Sequence, residues 1–573
     1  MQNIQVRRVL GSRFAVAIFA GVMLALAFPR VGIAGFAWIA PGLLAFAGVG
    51  TRGWESFRIG YVGGLAYYLI SLNWLLRIPY RWQGIPIGPA VGLLALSAFL
   101  SLYPAIWVWL VSGSGRTFSG ENLLGQMSPP FPAWRTASAV VGQTWVSRLA
   151  WALGGAAAWV AIEMCIARFL SGFPWDLLGV SQYRLLPLIQ IASVTGVYGV
   201  SFLVTWTSLS ILLAGLAVLE RPTMRYAWLS EMLLPAVAIG GLFAFGIHET
   251  RRPEQSTRTL KVTMVQPSIP QTVIWEQGKD MERFREVLAL SRQALTNHPD
   301  VLIWPEAAVP GLLRYNEEIF NALTGLAVSN HAWMIVGADD AEPKKNTDDG
   351  KKEAAYYNSS FLISPDGVLK SRYRKRNLVI FGEYVPLINS IPFLRRLVPW
   401  IGGVFTPGDR AVPFIMAELR AKTAVLICFE DVFPHLAREY VSEDTDFLVN
   451  LTNNGWFGEG SAQWQHGITA VFRAVENGLP LVRCSNNGLT CWVDRHGRLR
   501  EIFRDSAGTI YGKGVMTTQI PLLDSKRAPT FYNEHGDWFG WGCVGITILQ
   551  VALRILRWKR QPRSAVEAAM AKA

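Results

Sequence analysis

The feature that most restricts how this chain folds is the gathering of its apolar residues into stretches long enough to cross a bilayer. A helix needs about 20 apolar residues to traverse the hydrocarbon layer. Such stretches are read at 14–28, 33–49, 59–76, 89–111, 149–170, 188–219 and 226–247, and once more at 538–556. The sixth is longer than one straight span requires. The first is followed at once by a second, so it does not read as a cleavable signal peptide. Composition agrees: 51% of residues are hydrophobic, 17% are charged, and 23 are Trp, a residue favoured where rings sit at lipid interfaces. The organisation expected is a seven-span bundle over 1–247, a polar domain over 248–537, and a final span with a basic tail over 538–573.

The placement of cations orients this arrangement. Arg7, Arg8 and Arg13 precede the first span, Arg52 and Arg58 follow the second, and Arg116, Arg135 and Arg148 follow the fourth. Arg221 and Arg225 follow the sixth, and Arg557, Lys559, Arg560 and Arg563 follow the last. The alternate loops carry mainly Arg30, Arg77, Arg81 and Arg184. The positive-inside rule then places both termini in the cytoplasm and the polar domain on the opposite side. The net charge of +13 is accounted for by this pattern and not by a nucleic-acid footprint.

Within the polar domain, short β-like runs at 259–265, 301–303, 333–336, 357–363, 424–427, 447–451 and 481–483 alternate with helical patterns at 281–295 and 465–476. That alternation predicts a layered α/β domain. Ser364–Gly367 and Asp494–Gly497 read as hairpin turns, and 342–354 reads as a solvated loop. Three of the five cysteines, Cys428, Cys484 and Cys491, fall in this domain without metal-type spacing; Cys165 and Cys543 fall in spans. Cys484 and Cys491 read either as a hairpin disulfide or as two buried thiols. His435 and His466 have no companions at ligand spacing, so neither a metal nor another cofactor is expected. Glu163, inside the fifth span, is costly in hydrocarbon and so faces protein or an interface.

Three short motifs carry chemistry. Cys428 ends the apolar run Thr423–Ile427 and is followed by Glu430 and Asp431. Glu306 ends Trp304-Pro305-Glu306 after another apolar run, and Lys375 lies in the basic stretch that leads to Phe381-Gly382-Glu383. A lone thiol at a strand end reads as core. Together with a carboxylate that takes a proton and an ammonium that holds an oxyanion, it makes the set needed for acyl transfer through a thioester.

Glu, Lys and Cys in that chain order resemble the nitrilase, or carbon–nitrogen hydrolase, superfamily. A nitrilase-like domain between a bundle of spans and a last span resembles the bacterial apolipoprotein N-acyltransferase family. The resemblance runs over nearly the whole chain. It includes Gly172-Phe173-Pro174-Trp175, the segment Thr195 to Phe202, Phe381 to Pro386, Trp456-Phe457-Gly458, Trp464-Gln465-His466 and Asn486-Asn487-Gly488. Two positions depart from the family pattern: Ile380 stands where Pro is usual, and Asn454 where Asp is usual.

The resemblance implies an αββα sandwich on the periplasmic side of the bacterial inner membrane. It implies a phospholipid acyl donor such as phosphatidylethanolamine, cleaved at its sn-1 ester, and the α-amino group of a diacylglyceryl-cysteine apolipoprotein as acceptor. Cys428 would be the nucleophile, Glu306 the proton acceptor, and Lys375 the oxyanion partner, with the backbone N–H after Cys428. Glu383, Glu430 and Trp456 would support the site. Two other readings share parts of this pattern: a membrane-tethered amidase or nitrilase for small amides, and a transporter with an accessory domain. The apolar segment 384–405, interrupted by Arg395 and Arg396, is expected to form an arm that leans on the membrane and guides an acyl chain.

Overall fold

The computed structural model describes residues 12–560 apart from 52, 80–86, 115–141, 221, 222, 224, 225, 253–255, 275, 277, 344–353, 386–404, 523, 525 and 526. Five helices are long and apolar enough to cross a membrane: Gly88–Ser112, Trp145–Ile166, Val197–Leu219, Leu229–Arg251 and Trp538–Leu556. The first three expected spans correspond to shorter or more polar helices, Arg13–Leu26, Ala34–Gly48 and Trp54–Ser71. At 1.5 Å per residue the 14-residue helix Arg13–Leu26 extends about 21 Å, less than a hydrocarbon layer. Among the described residues, five of the eight expected spans are thus of full length and apolarity.

The overlong sixth stretch is resolved by a break. Two short helices, Leu186–Ile189 and Ala192–Thr195, precede Val197–Glu220, and between them Gly196 adopts φ +68°, a conformation open to glycine. The helices approach closely where small residues face each other, as Gly21 does against the backbone of Gly63 and Tyr67. In lipid, where the hydrophobic effect does not drive helices together, such contacts are the source of packing.

The polar domain holds two sheets. The strands are β1 Arg258–Gln266, β2 Val301–Ile303, β3 Val309–Leu312, β4 Trp333–Pro343, β5 Ala354–Ile363, β6 Leu369–Arg374, β7 Phe414–Met416, β8 Ala421–Ile427, β9 Phe447–Thr452, β10 Leu481–Ser485, β11 Cys491–Val493, β12 Leu499–Ile502 and β13 Gly514–Leu522. One sheet runs β13-β1-β2-β4-β5-β6 with β3 beside β4; the other runs β12-β11-β10-β9-β8-β7. Successive residues alternate between faces. Val301, Ile303 and Ile335 pack toward the second sheet, while Leu302, Met334 and Val336 pack with Phe284, Val287, Ile319 and Leu323 of the helices Asp280–Leu295 and Glu317–Asn330. On the far side lie the helices Ala462–Gly467 and Thr469–Asn477, which replace the single helix expected at 465–476. The layers are helix, sheet, sheet, helix, as expected.

The two predicted hairpin turns are present, with Gly367 at φ +79° and Gly497 at φ +83°. Cys484 and Cys491 stand as free buried thiols, which settles the choice between disulfide and packing. The Cys484 thiol lies 3.4 Å from the carbonyls of Val265 and Ile303, where β10 meets β1 and β2 across the sandwich.

Candidate active site

Glu306 follows β2, Lys375 follows β6, Cys428 follows β8 and Asn453 follows β9. These four strands run the same way within their sheets, so their carboxyl ends open on one edge, the usual place for a site in such folds. Lys375 is buried, and its ammonium donates to Glu383 Oε1 at 2.9 Å and to Glu306 Oε1 at 3.4 Å. Asn358, on β5, donates from Nδ2 to the same two oxygens at 2.8 Å each. The backbone N–H of Asn453 donates to Glu306 Oε2 at 2.9 Å, and that of Val379 to Glu383 Oε2 at 2.8 Å. Both glutamates are thereby locked in place.

Electrostatics follow from this packing. Burial lowers the Lys375 pKa, but the charges of Glu383, Glu306 and Cys428 outweigh it and hold the pKa well above the ordinary value. Burial, followed by the charge of Glu306, pushes the half-buried Cys428 thiol up to about 12, against the opposing pull of Lys375. At pH 7 the thiol is therefore held in its protonated form. The attacking sulfur thus needs a base at the moment of reaction, and Glu306 is the carboxylate whose charge acts on it most strongly.

Cys428 itself is held at φ +52°, an uncommon conformation for a residue with a side chain. Its carbonyl receives Asn450 Nδ2 at 3.0 Å and lies 3.2 Å from His466 Nε2. His466 Nε2 also lies 2.7 Å from Asp431 Oδ1, so this nitrogen donates to two acceptors. Burial, then the charge of Arg483, lowers the His466 pKa and favours the neutral ring. His466 Nδ1 lies 3.0 Å from Asn454 Oδ1, while the buried Asn454 Nδ2 has no partner among the described residues. Arg483 meets both Asp431 and Asn450 and closes the network under the nucleophile.

Glu430 does not reach Glu306 or the thiol. Fully buried, it accepts from the N–H of Ile427 at 2.7 Å, of Arg376 at 2.7 Å and of Asn377 at 3.1 Å, and from Tyr373 Oη at 2.8 Å. One carboxylate thus joins the backbone before Cys428 to the backbone after Lys375. Trp456 is half-buried in the turn Asn454–Phe457, next to the residues that bind Glu306 and His466. The apolar segment after Glu383 lies mostly outside the described residues; Tyr384, at its start, places Oη 2.7 Å from Ser171 Oγ in the bundle. Glu163 faces protein, accepting from Trp159 Nε1 at 3.0 Å and Leu178 N at 2.8 Å.

Sequence reasoning missed Asn358, Asn453, Asp431 and the pairing of His466. A detectable signal existed for the first: asparagine is depleted in strands, yet Asn358 interrupts a strand pattern. The others depend on pairings across long stretches of chain.

Residues 261–519 match the Carbon-nitrogen hydrolase family. A layered sandwich of this family, fused to membrane-length apolar helices, defines a membrane-bound enzyme of the carbon–nitrogen hydrolase type. Residues 20–210 match the Apolipoprotein N-acyltransferase N-terminal domain. The chain is 34% identical over 548 residues to the apolipoprotein N-acyltransferase of Geobacter metallireducens, covering 95% of each. It is 29% identical over 541 residues to that of Methylococcus capsulatus, covering 94% of this chain and 95% of the other. With that of Vibrio vulnificus it shares 29% over 493 residues, covering 84% and 87%. The chain belongs to the apolipoprotein N-acyltransferase family. It is an acyltransferase of lipoprotein maturation in a bacterial membrane.

Proposed function

We propose that this enzyme moves an acyl chain from the sn-1 position of a phospholipid to Cys428, and from there to the α-amino group of an apolipoprotein's diacylglyceryl-cysteine. Glu306 takes the thiol proton as sulfur attacks the ester. Lys375, charged at any working pH, faces the oxyanion that develops, an interaction worth about 3–4 kcal/mol per donor in well-studied sites. The lysophospholipid leaves, and the amine then attacks the thioester. Glu383 fixes Lys375 and Asn358. Glu430 fixes the two backbone segments that carry the nucleophile and the cation, and so acts by positioning. Trp456 supports the site from the turn that follows Asn453.

Next to the nucleophile, Phe429 packs against Phe173 and Phe433 at 5.7 and 5.1 Å between ring centres, and Trp175 continues this surface into the bundle. This aromatic wall is where the acyl chain would lie, dry enough for an amine to outcompete water. The same reading divides the chain into a bundle over 1–247, a catalytic domain over 248–537 on the periplasmic face, and a last span with its tail over 538–573. Both termini are then cytoplasmic.

The observation that carries the reading is the convergence of Glu306, Lys375 and Glu383 in one hydrogen-bonded group whose charges act on Cys428. Incubation of the protein with phospholipid should add the mass of one acyl chain, removable by hydroxylamine. Full activity in Cys428→Ala would refute the mechanism.

A further inference from the structure

Strand β4 runs apolar from Met334 to Ala338 and then places two aspartates in a row. Acidic side chains are depleted in strands, so both need a reason. Asp340 has one: it is buried and receives Arg314 at 2.7 Å, Arg374 at 3.2 Å and Arg372 at 3.4 Å. Asp339 points to the other face of the sheet, where it meets no cation. It stands opposite Asn358 in the pairing of β4 with β5, and opposite Leu312 of β3 on its other side. The charged groups that act on it are Glu306 and Glu383. Among the described residues its carboxylate has neither a hydrogen-bond nor an ion-pair partner.

A second atom beside it lacks a partner. Asn358 spends its amide hydrogens on Glu306 and Glu383, and its buried Oδ1 receives nothing. Residues directly opposite in an antiparallel pair hold their Cβ atoms about 4.5–5.5 Å apart, so Asp339 and Asn358 Oδ1 border one space. Among the described residues this face has three carboxylates, Glu306, Glu383 and Asp339, against one cation, Lys375. One positive charge that brings several N–H donors complements these acceptors.

We propose that Asp339 and Asn358 Oδ1 receive the primary ammonium of a substrate, and that Asp339 takes its proton before the amine attacks the thioester. The proposal rests on the acyl-transfer reading of Cys428. A primary ammonium has two sources here, the acceptor's α-amine and an ethanolamine headgroup on the donor. We assign it to the acceptor, because the amine must lose a proton before it is a nucleophile. The ammonium passes one proton to the Asp339 carboxylate and becomes a free amine. Its lone pair forms the N–C bond as the C–S bond breaks. The second N–H proton travels through Glu306 to the departing sulfur and restores the thiol. Burial, with the charges of Glu306 and Glu383, pushes the Asp339 carboxyl up to about 7. An α-amine ordinarily ionises at about 7.7–8.0, so the two are matched for proton exchange.

The test uses full-length protein with phosphatidylethanolamine or phosphatidylglycerol as donor and a diacylglyceryl-cysteine peptide as acceptor, each half-reaction followed by mass spectrometry. Asp339→Asn should form the thioester within about twofold of the wild-type rate from either donor, and transfer to the peptide should fall tenfold or more at pH 7. That deficit should shrink as pH rises past the amine's own pKa, and Asp339→Glu should recover part of the rate. Unchanged transfer would overturn the proposal, and so would an equal loss in both half-reactions, which marks a structural role. A loss confined to thioester formation from phosphatidylethanolamine would assign the ammonium to the donor and remove the proton-acceptor role. Absence of any Cys428 thioester in the wild type would overturn the underlying reading, and the proposal with it.

Discussion

Replacement of Glu430 by glutamine tests whether the site depends on a group that never touches substrate. Glu430 Oε1 accepts from the N–H of Arg376 and Asn377, Oε2 accepts from Ile427, and Tyr373 Oη reaches both oxygens. Glutamine keeps one acceptor and sets an NH₂ in place of the other. The least costly orientation leaves the oxygen toward 376 and 377 and turns the NH₂ against the N–H of Ile427. One hydrogen bond to a charged group, about 1.5–3 kcal/mol, is lost, and a buried donor is stranded at about 1–3 kcal/mol. The sum is about 2.5–6 kcal/mol, and it falls on the residue before the nucleophile, whose φ is already unfavourable. If even a third of it is expressed in the reacting geometry, thioester formation slows about tenfold, since each 1.36 kcal/mol is a factor of ten. The assay is single-turnover acylation of Cys428 by intact mass, with thermal unfolding measured in parallel. A Glu430→Gln protein that acylates at the wild-type rate would refute the positioning argument.

Other consequences can be checked with simpler variants. In the wild type, Cys428 should react with iodoacetamide about tenfold faster for each pH unit up to pH 10, because its thiol ionises near 12. Glu306→Gln removes a charge that raises this value, so alkylation at pH 8 should quicken severalfold while thioester formation is lost; slower alkylation would contradict the electrostatics. Gln465 joins the bundle to the catalytic layer: its carbonyl accepts from Trp74 and Trp175 Nε1 at 3.0 Å each, and its amide donates to the carbonyls of Pro29 at 2.9 Å and Ser71 at 3.2 Å. Gln465→Leu strands these four buried groups at about 1–3 kcal/mol each, so the unfolding temperature should drop by about 5 °C or more. An unchanged transition would show that the two layers are held elsewhere.

Much of the architecture was legible before the structure. The apolar stretches and the alternating strand patterns are local properties, and each of the seven strands read from the sequence is present. Glu306, Lys375 and Cys428 stood out because each ends a recognisable run, and the structure sets Glu306 and Lys375 within hydrogen-bond reach of each other. Six strands were missed: β3, β7, β11 and β12, which have only three or four residues each, and the longer β6 and β13. The short ones exist because a neighbouring strand offers them partners.

What only the tertiary structure decided are the relations between distant segments. Sequence made Glu430 an acid near a thiol; folding made it the tie between two loops 54 residues apart. Sequence left His466 without companions; folding set Asp431, 35 residues away, 2.7 Å from its ring. The break at Gly196, the free thiols of Cys484 and Cys491, and the unpaired carboxylate of Asp339 are of the same kind. Periodicity and motif report what a residue does within its own element, where geometry repeats every two or 3.6 residues. Hydrogen-bond partners and local charge depend on which elements meet, and that is set by packing alone.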